Sequence, residues 1–537
     1  MKALCLEIKK LLTEKKVTVP VMVVIFLSYI FLWTHPSMGV DDTAMPRYLV
    51  GGFLPHLGRC TLYLLEKVVH LADFTPVVID FIGVVLMALA ALIMGVIVRK
   101  SSDQKIRVSG CAVFVCFFVS YPLINEVYVY YLHNGLGIAY VLTAVTYYLL
   151  RFGSKRTDLI WGSMMLSLAI GCYETLAEVF LLLFCADTMI RILFQEKKVT
   201  WKEWFVLAIK CCVTVVAAMI LKTLLARVVL WVIDVEPYFH SVGKEIKWLF
   251  ADTMMQTLMS MIRSFGRYYV LNATVNYGVL MFWGAMAILV LAGVVSAVRK
   301  KSGLLLLNLV GVLGVSWVIS IIEGTIGAYR TMQTFPVLVG LAMLLLYHWL
   351  SQSGRKTLVR NLGFVLLAVM LYNQVYETNK WYYVDYLKYE EEKMICHQLA
   401  YDIEKEATLD KEIIFIGRIK DYGIADAYMY VKPGSWQYRL FSRLDGTDEL
   451  DKKYEIVQNP AWYAVFDWGT DAFDEHATEI ANFFAYHGHF IEVATREEKW
   501  EQLEMAQSMP VWPKEGSIVE TEEYVIVKLG EEAPRQQ

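Results

Sequence analysis

The residues best suited to chemistry gather where apolar runs give way to polar loops. The densest case is residues 35–48, His-Pro-Ser-Met-Gly-Val-Asp-Asp-Thr-Ala-Met-Pro-Arg-Tyr, in which Asp41 and Asp42 follow an apolar run within a few positions. Behind them, residues 46–71 set Leu49, Val50, Phe53, Leu54, Leu57, Leu62 and Leu65 against Arg47, Arg59 and Lys67, the pattern of a helix lying in the plane of a membrane interface. An acidic pair beside such a helix is placed to act on a lipid head group. A plainer account makes the pair a solvated loop that caps the next helix, and spacing alone does not separate the two.

Other polar residues cluster at the ends of later runs. Asn125 and Glu126 follow one run, and His133 and Asn134 precede the next. Tyr173, Glu174 and Glu178 mark a turn between two more, and Glu323, Tyr329 and Arg330 flank a later connection. An ionisable group at membrane depth is costly and usually faces a cavity or a partner, which singles out Glu174, Glu178 and Glu323. The competing account is that they are helix-end side chains reaching for water. Arg330 differs in kind, because its planar guanidinium suits phosphate oxygens. Arg263 and Arg267 sit on a segment that reads as an amphipathic helix, and a basic face on anionic lipid explains them better.

Several chemistries lack their signatures. No P-loop, G-x-G-x-x-G or G-x-S-x-G motif occurs, and no Asp-x-Asp pair lies in the C-terminal region, so neither a nucleotide-binding loop nor a nucleophile elbow is expected. His487 and His489 form an isolated His-x-His, which reads as a wet strand edge and not as a metal site. The nine cysteines sit mostly inside apolar runs and do not form a disulfide framework or a zinc pattern.

The elements that must position these residues are membrane helices. Of 537 residues, 57% are hydrophobic and only 19% charged, with a mean hydropathy of +0.45, whereas soluble domains carry roughly 25% charged residues. A soluble enzyme, a disordered chain and a nucleic-acid-binding protein are thereby excluded. Apolar runs at 17–33, 74–98, 109–124, 136–150, 159–172, 175–193, 204–233, 279–298, 304–322, 335–350 and 361–376 predict about eleven transmembrane helices. The first run has no small-residue cleavage site and is read as a retained helix, not a signal peptide. Basic clusters at 9–16, 99–107, 151–156, 191–202, 299–301 and 355–360 follow every second helix. The positive-inside rule then makes the N-terminus cytoplasmic and the C-terminal region extracytoplasmic, with residues 34–73 the first outer loop.

The net charge of −3 hides an asymmetry. Residues 377–537 carry 17 Lys/Arg against 33 Asp/Glu, a charge of −16, which leaves +13 on residues 1–376. Two domains follow: a helical membrane domain, 1–376, and an acidic extracytoplasmic α/β domain, 377–537. The second shows helical periodicity over 384–408 and 473–486, and strand patterns at 413–416, 489–493 and 524–527.

The membrane domain resembles the bacterial membrane glucosyltransferases typified by phage serotype-converting O-antigen enzymes. The resemblance is carried by the first helix with Asp41-Asp42 and Arg59, by TPVVIDFIGVVLMALAALI (75–93), and by YPLINEVYVYYLHNGLGIAYVLTAV (121–145). LSLAIGCYETLAEVFLLL (166–183) and YRTMQTFPVLVG (329–340) extend it. Glu174 departs from it, since a neutral Gln is expected there. The resemblance implies a GT-C-like helical bundle in a bacterial inner membrane, and a transferase moving a hexose, glucose above all, from a polyprenyl-phosphate sugar to an envelope glycan. It implies a first-loop acidic residue, Asp41 or Asp42, as catalytic base. Arg59 and Arg330 would hold the donor phosphate, and Glu126, His133, Tyr173, Glu174 and Glu323 the sugar or acceptor. Membrane lipids are the other expected partners and nucleic acid is not one; no metal or further cofactor is required, because arginines supply the countercharge. A lipid or polysaccharide transporter, or a non-catalytic envelope scaffold, is the alternative. A transporter is expected to show internal repeats and helices broken at the midplane, and neither pattern is evident.

Overall fold

The computed structural model describes residues 2–43, 53–70, 77–128, 130, 134–235, 246–274, 276–327, 329–352, 356–407, 410–419, 436, 439, 466 and 478–531. The described residues form two compact units. One comprises Met1–Thr34, Gly52–Lys380 and Val431–Val457; the other comprises His35–Gly51, Trp381–Tyr430 and Gln458–Gln537.

The first unit is helical. Each of the eleven apolar runs coincides with helix. Six helices are long and apolar enough to cross a membrane: Lys15–Thr34, Val78–Ser101, Trp201–Val232, Tyr277–Lys300, Gly303–Glu323 and Thr357–Glu406. A seventh candidate, Val108–Val119 with Pro122–Tyr128, is bent by 48° beside Pro122, which cannot continue the hydrogen-bond ladder. Leu136–Phe152, Thr157–Ile170 and Phe335–Leu350 are apolar but shorter. The run expected at 304–322 is likewise interrupted, by a 3-10 turn at Val315–Trp317.

Burial separates central helices from peripheral ones. In the most apolar stretch of Val78–Ser101, 72% of residues are buried, against 22% in Trp201–Val232, so the first is core and the second presents most of its surface to lipid. Val78–Ser101 packs on Leu136–Phe152 where two glycines meet: a Cβ on Gly137 would lie 2.5 Å from the Gly83 carbonyl oxygen. Small residues let helix backbones close to this distance, and in lipid that close packing holds helices together. Three of the basic segments, 99–107, 191–202 and 299–301, are tied to one another. Lys105 Nζ donates to the Phe194 carbonyl at 2.9 Å and Lys300 Nζ to that of Ile192 at 2.6 Å. Arg151 Nε donates to buried Asp187 at 3.0 Å, and Arg99 lies 4.0 Å from Glu7.

The stretch expected as one interfacial helix is instead broken. Phe53–His56 and Cys60–Val69 are separate helices, split at Gly58, whose φ of +76° only glycine adopts readily. Residues 44–52 lie outside the described residues, and so do Arg47, Leu49 and Val50.

The second unit is a small α/β assembly. Strands β1 (Glu412–Ile416), β2 (Ile518–Glu520) and β3 (Tyr524–Lys528) form a sheet of order β1-β3-β2. β1 runs parallel to β3 with Glu412 opposite Tyr524, and β2 runs antiparallel with Ile518 opposite Val527. One face buries Ile414, Ile416 and Ile526 with Ala494, Ala506 and Met509. Two expectations are corrected here. The helix expected to begin at 384 is continuous with the last apolar run as the 50-residue Thr357–Glu406, because residues 377–383 contain no Gly or Pro to stop it. Residues 489–493 form no strand, only an isolated bridge between Ile413 and Val493. His489 is therefore not on a strand edge: its Nε2 lies 2.8 Å from His397 Nδ1, and the His487 ring centroid is 5.8 Å from that of His397. All nine cysteines are free, with Cys5 and Cys212 exposed.

Candidate active site

The turn Tyr173-Glu174 precedes the helix Leu176–Phe194. It is fixed from one side by the first-loop helix, where the Thr61 amide donates to the Gly171 carbonyl at 3.0 Å. Around this turn lies a pocket with about 470 Å³ of empty space, part of it open to solvent. Arg59, Tyr173, Glu174, Glu178 and Glu323 line it, with Ser316, Ser320 and Thr331 adding hydroxyls. Residues separated by more than 260 positions in sequence thus share one wall.

Each charged group in that wall is held by a different device. The Arg59 guanidinium stacks over the Tyr173 ring, 4.7 Å from its centroid, a cation–π contact that orients the plane while leaving its N–H edge for hydrogen bonds. The Glu178 carboxylate is buried and accepts from the Ile319 amide at 2.8 Å. Glu174 forms an ion pair with Lys222 of the helix Trp201–Val232. Three carboxylates, one guanidinium and several hydroxyls facing a common space can bind a polyhydroxylated ligand that also carries an anionic group.

Of the other expected residues, Glu126 and Arg330 pair with one another beside this pocket. Glu126 Oε1 accepts from Arg330 Nη1 at 3.0 Å and its Oε2 from the Arg330 amide at 3.0 Å. Arg330 itself does not line the pocket, although Thr331 and Met332 do. His133 lies outside the described residues. Asp41 and Asp42 belong to the second unit, on the short helix Val40–Thr43. Asp42 is buried, and its Oδ2 accepts from the Gly39 amide at 2.9 Å, at the start of its own short helix. Asp41 is more exposed than Asp42. Nearby, Asn482 Nδ2 donates to the Thr43 carbonyl at 2.6 Å. Among the described residues no group of three His, Cys, Asp or Glu side chains is arranged to hold a metal ion.

Sequence reasoning missed Lys222 and Asp80. Asp80 is a buried carboxylate in the first turn of Val78–Ser101 and accepts from Asn134 Nδ2 at 2.7 Å. The available signal was an ionisable residue inside an otherwise apolar run.

No curated protein and no solved structure matches the chain. A family model, Glucosyl transferase GtrII, matches residues 29–347, which take in the first-loop acidic pair, every residue of the pocket and the Glu126–Arg330 pair. With more than half of its length matched, this membrane chain belongs to the GtrII glucosyl transferase family.

Proposed function

We propose that the protein transfers glucose from a polyprenyl-phosphate donor to an envelope glycan on the outer face of a bacterial inner membrane. The observation that carries this reading is the convergence of Arg59, Tyr173, Glu174, Glu178 and Glu323 on one pocket within the family-matched region. Nucleotide sugars are made in the cytoplasm, so an outer-face site needs a donor that crosses with the membrane, and a lipid-linked sugar meets that need.

In this scheme Asp41, the more exposed member of the acidic pair, is the base. It takes the proton from the acceptor hydroxyl as that oxygen attacks the anomeric carbon. The bond from that carbon to the phosphate oxygen breaks, and its electron pair leaves with the polyprenyl phosphate. Arg59 stabilises the charge that develops there. Arg330 serves the same phosphate once its bond to Glu126 is exchanged. Tyr173, Glu174 and Glu323 orient sugar hydroxyls, Glu126 and His133 complete the acceptor side, and the arginines take the place of a metal.

A second assignment of the base has its own support. Glu174, Glu178 and Glu323 line the pocket whereas Asp41 belongs to the other unit, so a pocket carboxylate can fill the role. Purified protein in nanodiscs, given polyprenyl-phosphate glucose with a labelled sugar and an envelope glycan, is expected to label the glycan. Asp41→Asn should lower the rate by about 10²–10⁴-fold without changing thermal unfolding. Full activity in that variant with loss in Glu323→Gln moves the base into the pocket. A wild-type protein that labels nothing overturns the function.

A further inference from the structure

Lys222 lies two-thirds of the way along the 32-residue helix Trp201–Val232, most of whose surface is exposed and apolar. Yet the lysine itself is only 6% exposed. Burying an ammonium in such surroundings is expensive unless a partner offsets the lost hydration. The partner is Glu174, and the fit between them is close. A Cβ at Gly58 would fall 2.8 Å from Lys222 Nζ and 3.4 Å from Glu174 Oε1, so the left-handed glycine leaves the channel through which the ammonium reaches the carboxylate. The Lys222 carbonyl in turn accepts from Cys60 Sγ at 3.9 Å. Three separate pieces of chain, at 58–60, 174 and 222, are thus organised around one ion pair.

The pair is lopsided. Lys222 is enclosed, but the Glu174 side chain is 46% exposed and lines the pocket. Its Oε1 is taken by Lys222, and among the described residues its Oε2 has no protein partner. The other charged groups facing that space are Arg59, stacked on Tyr173, and Glu178 and Glu323 across the pocket.

We propose that Lys222 is a positioning residue for transfer: it fixes the Glu174 carboxylate, so that Oε2 accepts a hydroxyl of a neutral sugar and the site disfavours a sugar that carries its own carboxylate. The inference deepens the glucosyl-transfer reading and rests on it for the identity of the ligand. Lys222 acts through Glu174 and does not itself touch the pocket.

The test is a double-mutant cycle on the full chain in nanodiscs, with the infrared carboxylate band of Glu174 as a second readout. Lys222→Met should cut kcat/KM for the glucosyl donor by about 100-fold, and Lys222→Arg should restore most of it. Glu174→Gln with Lys222→Met should be no slower than Glu174→Gln alone, since an amide needs no cation. A double variant that loses the product of the two single losses overturns the proposal. A Glu174 band that keeps its wild-type position and width in Lys222→Met also overturns it. That band does not depend on turnover, so it decides the role of the pair even if the glucosyl-transfer reading fails.

Discussion

In the helical unit, ion pairs join residues far apart in the chain: Arg330 with Glu126, Lys222 with Glu174, Arg151 with Asp187. In the second unit, Lys393–Glu390 and Lys528–Glu531 join residues three apart, and Lys411–Glu520, a long-range pair, is partly exposed on both sides. The contrast follows from the solvent each unit meets. A charge among apolar helices must find a partner on another segment, so its position is set by the tertiary fold and carries information about the site. A charge on a water-facing α/β unit costs little wherever it sits, and most of that unit's acidic excess says nothing about a site.

Each side of this comparison can be broken by substitution. If the second unit is held by its apolar sheet and not by its charges, Ile526→Ala, at a fully buried β3 position, should cost about 3 kcal/mol. Hydrogen exchange over 412–416 and 524–528 should report the loss while the helices around the pocket keep their protection. If pocket charge is functional, Arg59→Met should lower transfer about 100-fold, read as kcat/KM for the donor, with the unfolding midpoint nearly unchanged. If the Glu126–Arg330 pair is structural as well, Glu126→Gln should destabilise the helical unit by about 2 kcal/mol, seen in thermal unfolding in detergent.

The smallest effect concerns His487. Burial first, then the nearby His397, Lys393 and His489, hold its imidazole below the ordinary range, at about 4. The unfolded chain therefore binds a proton at higher pH than the folded one. Stability that is complete above about 6.5 should fall as the pH drops toward about 4. The ring is only partly buried, so the loss should stay below about 1 kcal/mol. His487→Gln should flatten this pH dependence, as measured by exchange over 478–490.

Much of this organisation was legible in the residues. Apolar runs of membrane length coincide with helices of the first unit, and the cost of charge at membrane depth picks out Glu174, Glu178 and Glu323, whereas Arg59 enters through the resemblance. The break at Gly58 was less legible, because an amphipathic pattern continues across it and only the backbone shows the left-handed turn. Lys222 was hidden for a related reason: a lysine in an apolar run announces a partner but not which segment supplies it. The meeting of His397 with His487 and His489 depends on the long helix Thr357–Glu406 passing the end of Thr478–Tyr486, and no local pattern encodes that approach.

The distribution of thiols has a practical consequence. Seven of the nine are enclosed by protein, and Cys212 lies on the lipid-facing helix Trp201–Val232, where a charged reagent does not reach. Cys5, on the amphipathic helix Lys2–Thr13, is exposed. A charged maleimide added to one side of sealed vesicles should therefore report on Cys5 alone, so the unmodified chain carries its own sidedness marker, and labelling it in right-side-out and inverted vesicles assigns the N-terminus to a compartment.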